Sequence, residues 1–178
     1  MDALQAIYAR RSIRKFTEQT VDRDTLLTLC RLGAAAPSAV NRCPWEFIVV
    51  DDPKQMDRIR KAHPYGKYNA PAAIVVCGNM KRFLPLDAAE YWVQDTAAAM
   101  ENILLGCTAL GLGAVWLGVY PRQSVVRKVS TCLGLPSHII PMGTALIGYP
   151  AEIREPRTQL KDSQVHWQCM EYSSEETE

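Results

Sequence analysis

The sequence predicts a mixed helix-and-sheet fold, α/β or α+β, built on one sheet in one domain. Segments with helical spacing of apolar residues outnumber short apolar strand runs, and after two opening helices the two kinds alternate along the chain. The chain has 178 residues, 48% apolar and 22% charged, which suits one sizeable core in a soluble globular protein.

The first helix is read over residues 2–10, where Leu4, Ile7 and Tyr8 recur at helical spacing. Asp22 is placed as the N-cap of a second helix with Leu26, Leu27, Cys30 and Ala34 on its apolar side, ending before Pro37. Residues 37–44 read as a loop, and Trp45–Val50 as a strand whose run Phe47-Ile48-Val49-Val50 suits an interior position. Asp52-Pro53 opens a third helix through Ala62. After turn-rich residues 63–71 comes a buried strand, 72–77. A long helix over 89–110 stops at Gly111-Leu112-Gly113, and a strand over 114–119 follows. Pro121 suits the first turn of another helix, which ends near Leu133 with Gly134 just past it. Residues 142–148 form the last strand. Beyond Pro150 the composition turns polar and proline-containing, so 151–178 is expected to be an arm of a single domain spanning 1–178.

Bulk properties narrow the function. A formal net charge of +1 gives no support for a nucleic-acid or anionic-membrane partner. The six cysteines are scattered, with no CxxC spacing and no zinc pattern, and no signal peptide is visible, so a reducing cytoplasm is expected. Residues 91–113 are apolar enough to suggest a membrane span, but Asp95, Glu101 and Asn102 lie inside it, and a buried helix is the better reading.

Three segments could carry chemistry. Arg10, Ser12 and Arg14 alternate along an extended stretch, so their side chains share one side, with Arg11 on the other. Two guanidinium groups and a hydroxyl can bind a phosphate dianion; the plain alternative is a solvated basic turn following a helix. In the second segment, Pro37 through Trp45, small residues Ser38 and Ala39 would let backbone approach a flat ligand, and Asn41 offers a donor and an acceptor. In the third, residues 111–118, two glycines suggest a dinucleotide fingerprint, but the order is helix to strand, the reverse of a Rossmann turn, and that reading fails. Gly118 can still let a ligand approach the backbone closely. His63, His138 and His166 are not spaced for metal, no GxSxG or Walker A motif exists, and Asp87, Glu90, Asp95 and Glu101 read as structural.

In this order and spacing the segments resemble the nitroreductase family of FMN enzymes. The matching pieces are Arg-Arg-Ser-Ile-Arg after the first helix, Ala-Pro-Ser-Ala-Val-Asn-Arg-Cys-Pro-Trp before a strand, Ala-Pro-Ala-Ala-Ile-Val-Val at 70–76 and Gly-Leu-Gly-Ala-Val-Trp-Leu-Gly at 111–118. Gly148-Tyr149-Pro150-Ala151-Glu152 and Val165-His166 complete the set, and the likeness covers about residues 2–167.

The resemblance implies an α+β sandwich: a mixed, mostly antiparallel sheet covered by helices, in an intertwined homodimer for which the long helix is the natural element. It implies that Arg10, Ser12 and Arg14 hold the FMN phosphate and ribityl chain, with Arg11 close by. Pro37, Ser38, Ala39 and Asn41 match the segment that reaches the flavin from the partner subunit. Gly118 matches the position whose backbone N–H faces flavin N5, flanked by Leu117 and Val119, and Lys67 matches a lysine near the pyrimidine edge. Arg157 matches the first of a basic pair near the phosphate, but Gln159 stands where the second is expected, which weakens that anchor. Arg42-Cys43 replaces a small-Gln pair. The implied activity is ping-pong reduction of nitroaromatics, quinones or similar electron-poor small molecules by NAD(P)H through FMN, with no catalytic side chain and no metal. The alternatives are another outcome on the same fold (dehalogenation, dehydrogenation or flavin destruction) and a non-enzymatic flavin-binding or sensing protein.

Overall fold

The computed structural model describes residues 1–170; the acidic last residues and the end of the expected arm, 171–178, lie outside them. Among the described residues five α-helices and four strands follow in order: α1 (Ala3–Ala9), α2 (Arg23–Ala34), β1 (Trp45–Val50), α3 (Pro53–Ala62), β2 (Ala72–Asn79), α4 (Tyr91–Ala109), β3 (Gly113–Gly118), α5 (Gln123–Leu133) and β4 (Ile139–Gly148). The helix starts are set locally. The side chains of Asp2, Asp22 and Asp52 accept the backbone N–H three residues on, from Gln5, Thr25 and Gln55, each at 2.8 Å. Gly134 ends α5 in the left-handed region at φ 63°, where glycine carries no side-chain penalty.

The strands form a sheet of order β1-β2-β4-β3, and every neighbouring pair is antiparallel. Strand alternation divides β2 between two cores. Ala72, Ile74 and Val76 face α2 and α4; Ala73, Val75 and Cys77 face α3 and α5. A layer of helices therefore covers each face, and β2 is buried along its whole length. The fold is α+β. Among the described residues the only parallel pairing is an isolated bridge between Ser12 and Ala114, where the chain after α1 runs beside β3.

Several expectations are corrected. β1 is an edge strand, not an interior one: its apolar run reflects two covered faces, which is a different matter from neighbours on both sides, and Val49 is 40% exposed. The buried stripe of α2 is Leu26, Leu29 and Gly33, while Leu27 and Ala34 face outward. Close approach to α4 decides this, because Leu29 and Leu32 occupy the space a side chain at Gly106 would need. Pro121 precedes α5 instead of entering its first turn, since Arg122 is still extended and serves as the N-cap. On α1 only Ala6 is buried; Leu4, Ile7 and Tyr8 are exposed. Past Pro150 the described arm is exposed almost throughout, including Ile153 and Trp167.

Candidate functional site

The arm returns to the start of the chain. Glu152 accepts the backbone N–H of Arg14 at 2.6 Å and of Lys15 at 3.2 Å, and takes Nη2 of Arg154 at 2.7 Å. The hydrogen bond from Arg14, helped by the Arg154 guanidinium, holds its carboxyl below the usual carboxylate range. Arg11 donates to the Glu155 carbonyl. Ile13 and Phe16 are buried, which turns the basic residues between and before them outward.

The result is a cavity of about 450 Å³ lined by five arginines, Arg10, Arg11, Arg14, Arg154 and Arg157, with Ser12, Gln159 and Ile7. Among the described residues no carboxylate lines it. Arg10 is shared with α4, its Nε lying 3.0 Å from Glu101. Burial pushes the Glu101 carboxyl up, and Arg10 opposes that. An excess of guanidinium groups facing one space favours a multiply charged anion, and arginine forks match phosphate geometry. Arg11 lines the same space as its neighbours, contrary to strict alternation, because only Ser12 in this stretch makes a sheet bridge.

A second cavity, about 180 Å³, is lined by Arg14, His63, Pro64, Tyr65, Tyr68 and the end of β3 from Val115 to Gly118. Arg14 therefore borders both. Gly118 is exposed, and among the described residues no atom beyond its own and its two chain neighbours' lies within 4 Å of where its Cβ would stand. Leu117 is in this wall, but Val119 is fully buried and donates its N–H to the Met142 carbonyl, so its side chain belongs to the core.

His63 is a cavity residue that sequence reasoning missed. It is 6% exposed, its Nε2 lies 3.0 Å from Thr144 Oγ1, and burial pushes its pKa down to about 4. Thr144 is the cross-strand partner of Leu117, so His63 is anchored next to the end of β3. Spacing along the chain carried no signal for this. Arg154 was also missed, although it lies three residues before Arg157.

Two expected groups stand apart from this pair of cavities. Lys67 lines an adjoining hollow with Arg60, Lys61 and Gly66, which shares only His63 and Pro64 with the Gly118 cavity. Pro37, Ser38, Ala39 and Asn41 line neither. Their loop is a tight turn in which Val40, Asn41 and Cys43 have φ of 51°, 52° and 46°, a strained region for non-glycine residues. The Ala39 N–H is held by Asp95 on α4 at 2.8 Å, and Val40 is 80% exposed.

Burial pushes the thiols of Cys77 and Cys107 up to about 12, which makes them unreactive. Among the described residues no cluster of His, Cys, Asp and Glu could hold a metal ion, and no helix is long and apolar enough to cross a membrane.

The sequence profile of the nitroreductase family matches residues 7–64 and 63–149. The chain belongs to the nitroreductase family. It is 39% identical over 169 residues to a Methanothermobacter thermautotrophicus protein provisionally named NADH dehydrogenase/NAD(P)H nitroreductase, spanning 93% of this chain and 86% of that one. A crystal structure of a Parabacteroides distasonis protein with the same provisional name superposes with a TM-score of 0.87 at 35% identity, over 94% of this chain and 98% of that one. An FMN-dependent nitroreductase from Clostridium difficile has a TM-score of 0.83 at 27% identity, over 94% and 99%. In this nitroreductase chain the arginine cavity joins the two ends of the family match: Arg10 to Arg14 fall inside it, while Arg154 and Arg157 lie beyond Tyr149, where it stops.

Proposed function

We propose that this chain binds FMN and works as an NAD(P)H-dependent oxidoreductase that reduces electron-poor small molecules, such as nitroaromatics or quinones, by a ping-pong mechanism. The observation that carries the reading is the position of Arg14, which lines both the arginine cavity and the Gly118 cavity. A phosphate joined by a short polar chain to a flat ring has this shape: an anionic end for the guanidinium groups and a planar end for the hollow beside β3.

The residues present fit that group. The five arginines lining the cavity supply charge-assisted donors, with no carboxylate among the described residues of the wall. Gly118 leaves the strand end open, and His63, whose buried Nδ1 has no partner among the described residues, lines the cavity beside it. Bound FMN would supply the two-electron hydride chemistry between NAD(P)H and the acceptor. The protein's own work is then to bind the phosphate, hold the ring against the end of β3 and leave one face accessible to each substrate in turn.

The working form is proposed to be a homodimer. Leu4, Ile7 and Tyr8 on α1 and Ile153 and Trp167 on the arm are exposed in one chain, and a second copy would cover them. The loop of residues 37–41 would complete the partner's site, as the family resemblance implies. Six scattered free cysteines suit a reducing, cytoplasmic setting.

The test is to reconstitute the purified protein with FMN and with FAD, identify the released cofactor by mass spectrometry, and follow NADH and NADPH oxidation with and without a nitroaromatic or quinone. FMN retention with acceptor-dependent oxidation is expected. Retention of FAD or of no flavin would overturn the cofactor; FMN without acceptor-dependent oxidation would leave a flavin-binding protein in place of an enzyme.

A further inference from the structure

Among the described residues, the Nδ1 atom of His63 is the only buried side-chain nitrogen or oxygen without a hydrogen-bond partner. Buried polar atoms are almost always paired, so an orphan of this kind calls for an explanation. The surroundings decide what it offers. Thr144 is fully buried, and among the described residues its hydroxyl makes no hydrogen bond other than the 3.0 Å contact with His63 Nε2. Were Nε2 to carry the ring proton, the Thr144 hydroxyl proton would be left with no acceptor. With the Thr144 O–H donating to Nε2, both groups are satisfied there, and the ring proton sits on Nδ1. Burial keeps the ring neutral above a pH of about 4. The two imidazole nitrogens diverge, so Nδ1 points away from Thr144, and His63 stands in the wall between the cavity of Arg14, Tyr68 and Gly118 and the adjoining hollow of Lys67.

We propose that His63 is a binding residue for the ring of the cofactor: it donates its Nδ1–H to a carbonyl oxygen or an unprotonated ring nitrogen of FMN, and Thr144 is the positioning residue that fixes the tautomer. This rests on the FMN reading and deepens it. It also states what the cavity selects. A flat heterocycle with an acceptor atom on its edge satisfies the orphan donor; a hydrocarbon ring of the same size leaves it unmet.

Two measurements test this. In the apoprotein, nitrogen-15 NMR of the histidine ring should show Nδ1 protonated and Nε2 bare, and the Nδ1–H resonance should move when FMN is added. FMN titration should then show His63→Phe, which keeps a ring but loses the donor, binding roughly three- to tenfold more weakly, as loss of a neutral hydrogen bond predicts. His63→Asn, whose amide nitrogen stands where Nδ1 stands, should recover part of that loss, and Thr144→Val should weaken binding while leaving the histidine in place. A proton on Nε2, an Nδ1–H signal indifferent to FMN, or wild-type affinity in His63→Phe would each overturn the inference while the FMN reading stood. Failure of the wild-type protein to take up FMN at all would overturn both.

Discussion

Asp95 and Ala39 are 56 residues apart, and the carboxylate of the first accepts the backbone N–H of the second at 2.8 Å. Asp95 is 7% exposed on α4, so this bond ties a strained surface turn to the central helix. The acidic residue that argues against a membrane span in the sequence thus holds the loop expected to reach the partner's cofactor.

Asp95→Ala should therefore release the turn. Loss of a hydrogen bond to a charged group predicts a stability loss of about 1.5–3 kcal/mol, read as a lower urea midpoint at unchanged slope. Asp95→Asn keeps an acceptor oxygen and should lose less. If the loop also completes the neighbouring site, FMN affinity falls in both variants; unchanged affinity would remove the loop from the cofactor site.

Arg14→Ala should weaken FMN binding by about 10- to 150-fold, the equivalent of one charge-assisted contact. The fold should survive, because the residue is exposed and its link to Glu152 runs through the backbone. Arg10→Ala should weaken binding less, since Arg10 is partly committed to Glu101, and Arg11→Ala less too, since Arg11 is committed to the Glu155 carbonyl. Titration of FMN into the apoproteins ranks the three.

The folded-state pKa of His63, about 4, lies below the ordinary 6.5. Between those values the unfolded chain binds the proton and the folded chain does not, so stability must fall as pH is lowered. The contribution is complete above about pH 6.5 and is lost progressively down to about pH 4, at most roughly 3 kcal/mol. Urea unfolding at several pH values should show a steeper acid loss in the wild type than in His63→Phe. Parallel curves would mean that His63 does not titrate in this way.

Gly118 has open space around where a Cβ would stand and a φ outside the left-handed region, so Gly118→Leu should fold. It should nevertheless slow flavin reduction sharply, because the new side chain projects into the space proposed for the ring. His138→Ala and His166→Ala, by contrast, should keep kcat within about tenfold, below the usual effect of removing a general acid or base. Stopped-flow reduction by NAD(P)H separates these variants.

The protein is expected to sediment as a dimer at working concentration, with FMN raising its thermal midpoint. A stable FMN-loaded monomer would contradict the proposed contribution of residues 37–41 to the partner's site.

Much of the fold is legible in the sequence because its causes are local. The Asp22 and Asp52 caps, the Gly134 stop, the six-residue span of β1 and the end of α3 at Ala62 all follow from side chains within a few positions of each other. The arginine-serine-arginine stretch is legible for the same reason: its charge and spacing are written in five adjacent residues. The family resemblance extends this to the expectation of FMN and to expected, untested roles for Gly118 and Arg157.

What only the tertiary structure decided depends on residues distant in sequence. An apolar run does not say whether a strand has neighbours on one side or two, so β1 becomes an edge only when β2 is seen between it and β4. Helical periodicity does not say which of Leu26, Leu27 and Leu29 faces inward until α2 meets Gly106 of α4. Arg154 joins Arg14 because Glu152 pins the returning arm, and His63 lines the Gly118 cavity because Thr144, 81 positions later, holds its Nε2. Local preferences act over one or two turns of chain, whereas a binding cavity is made by surfaces that packing brings together, and its electrostatics exist only once they meet.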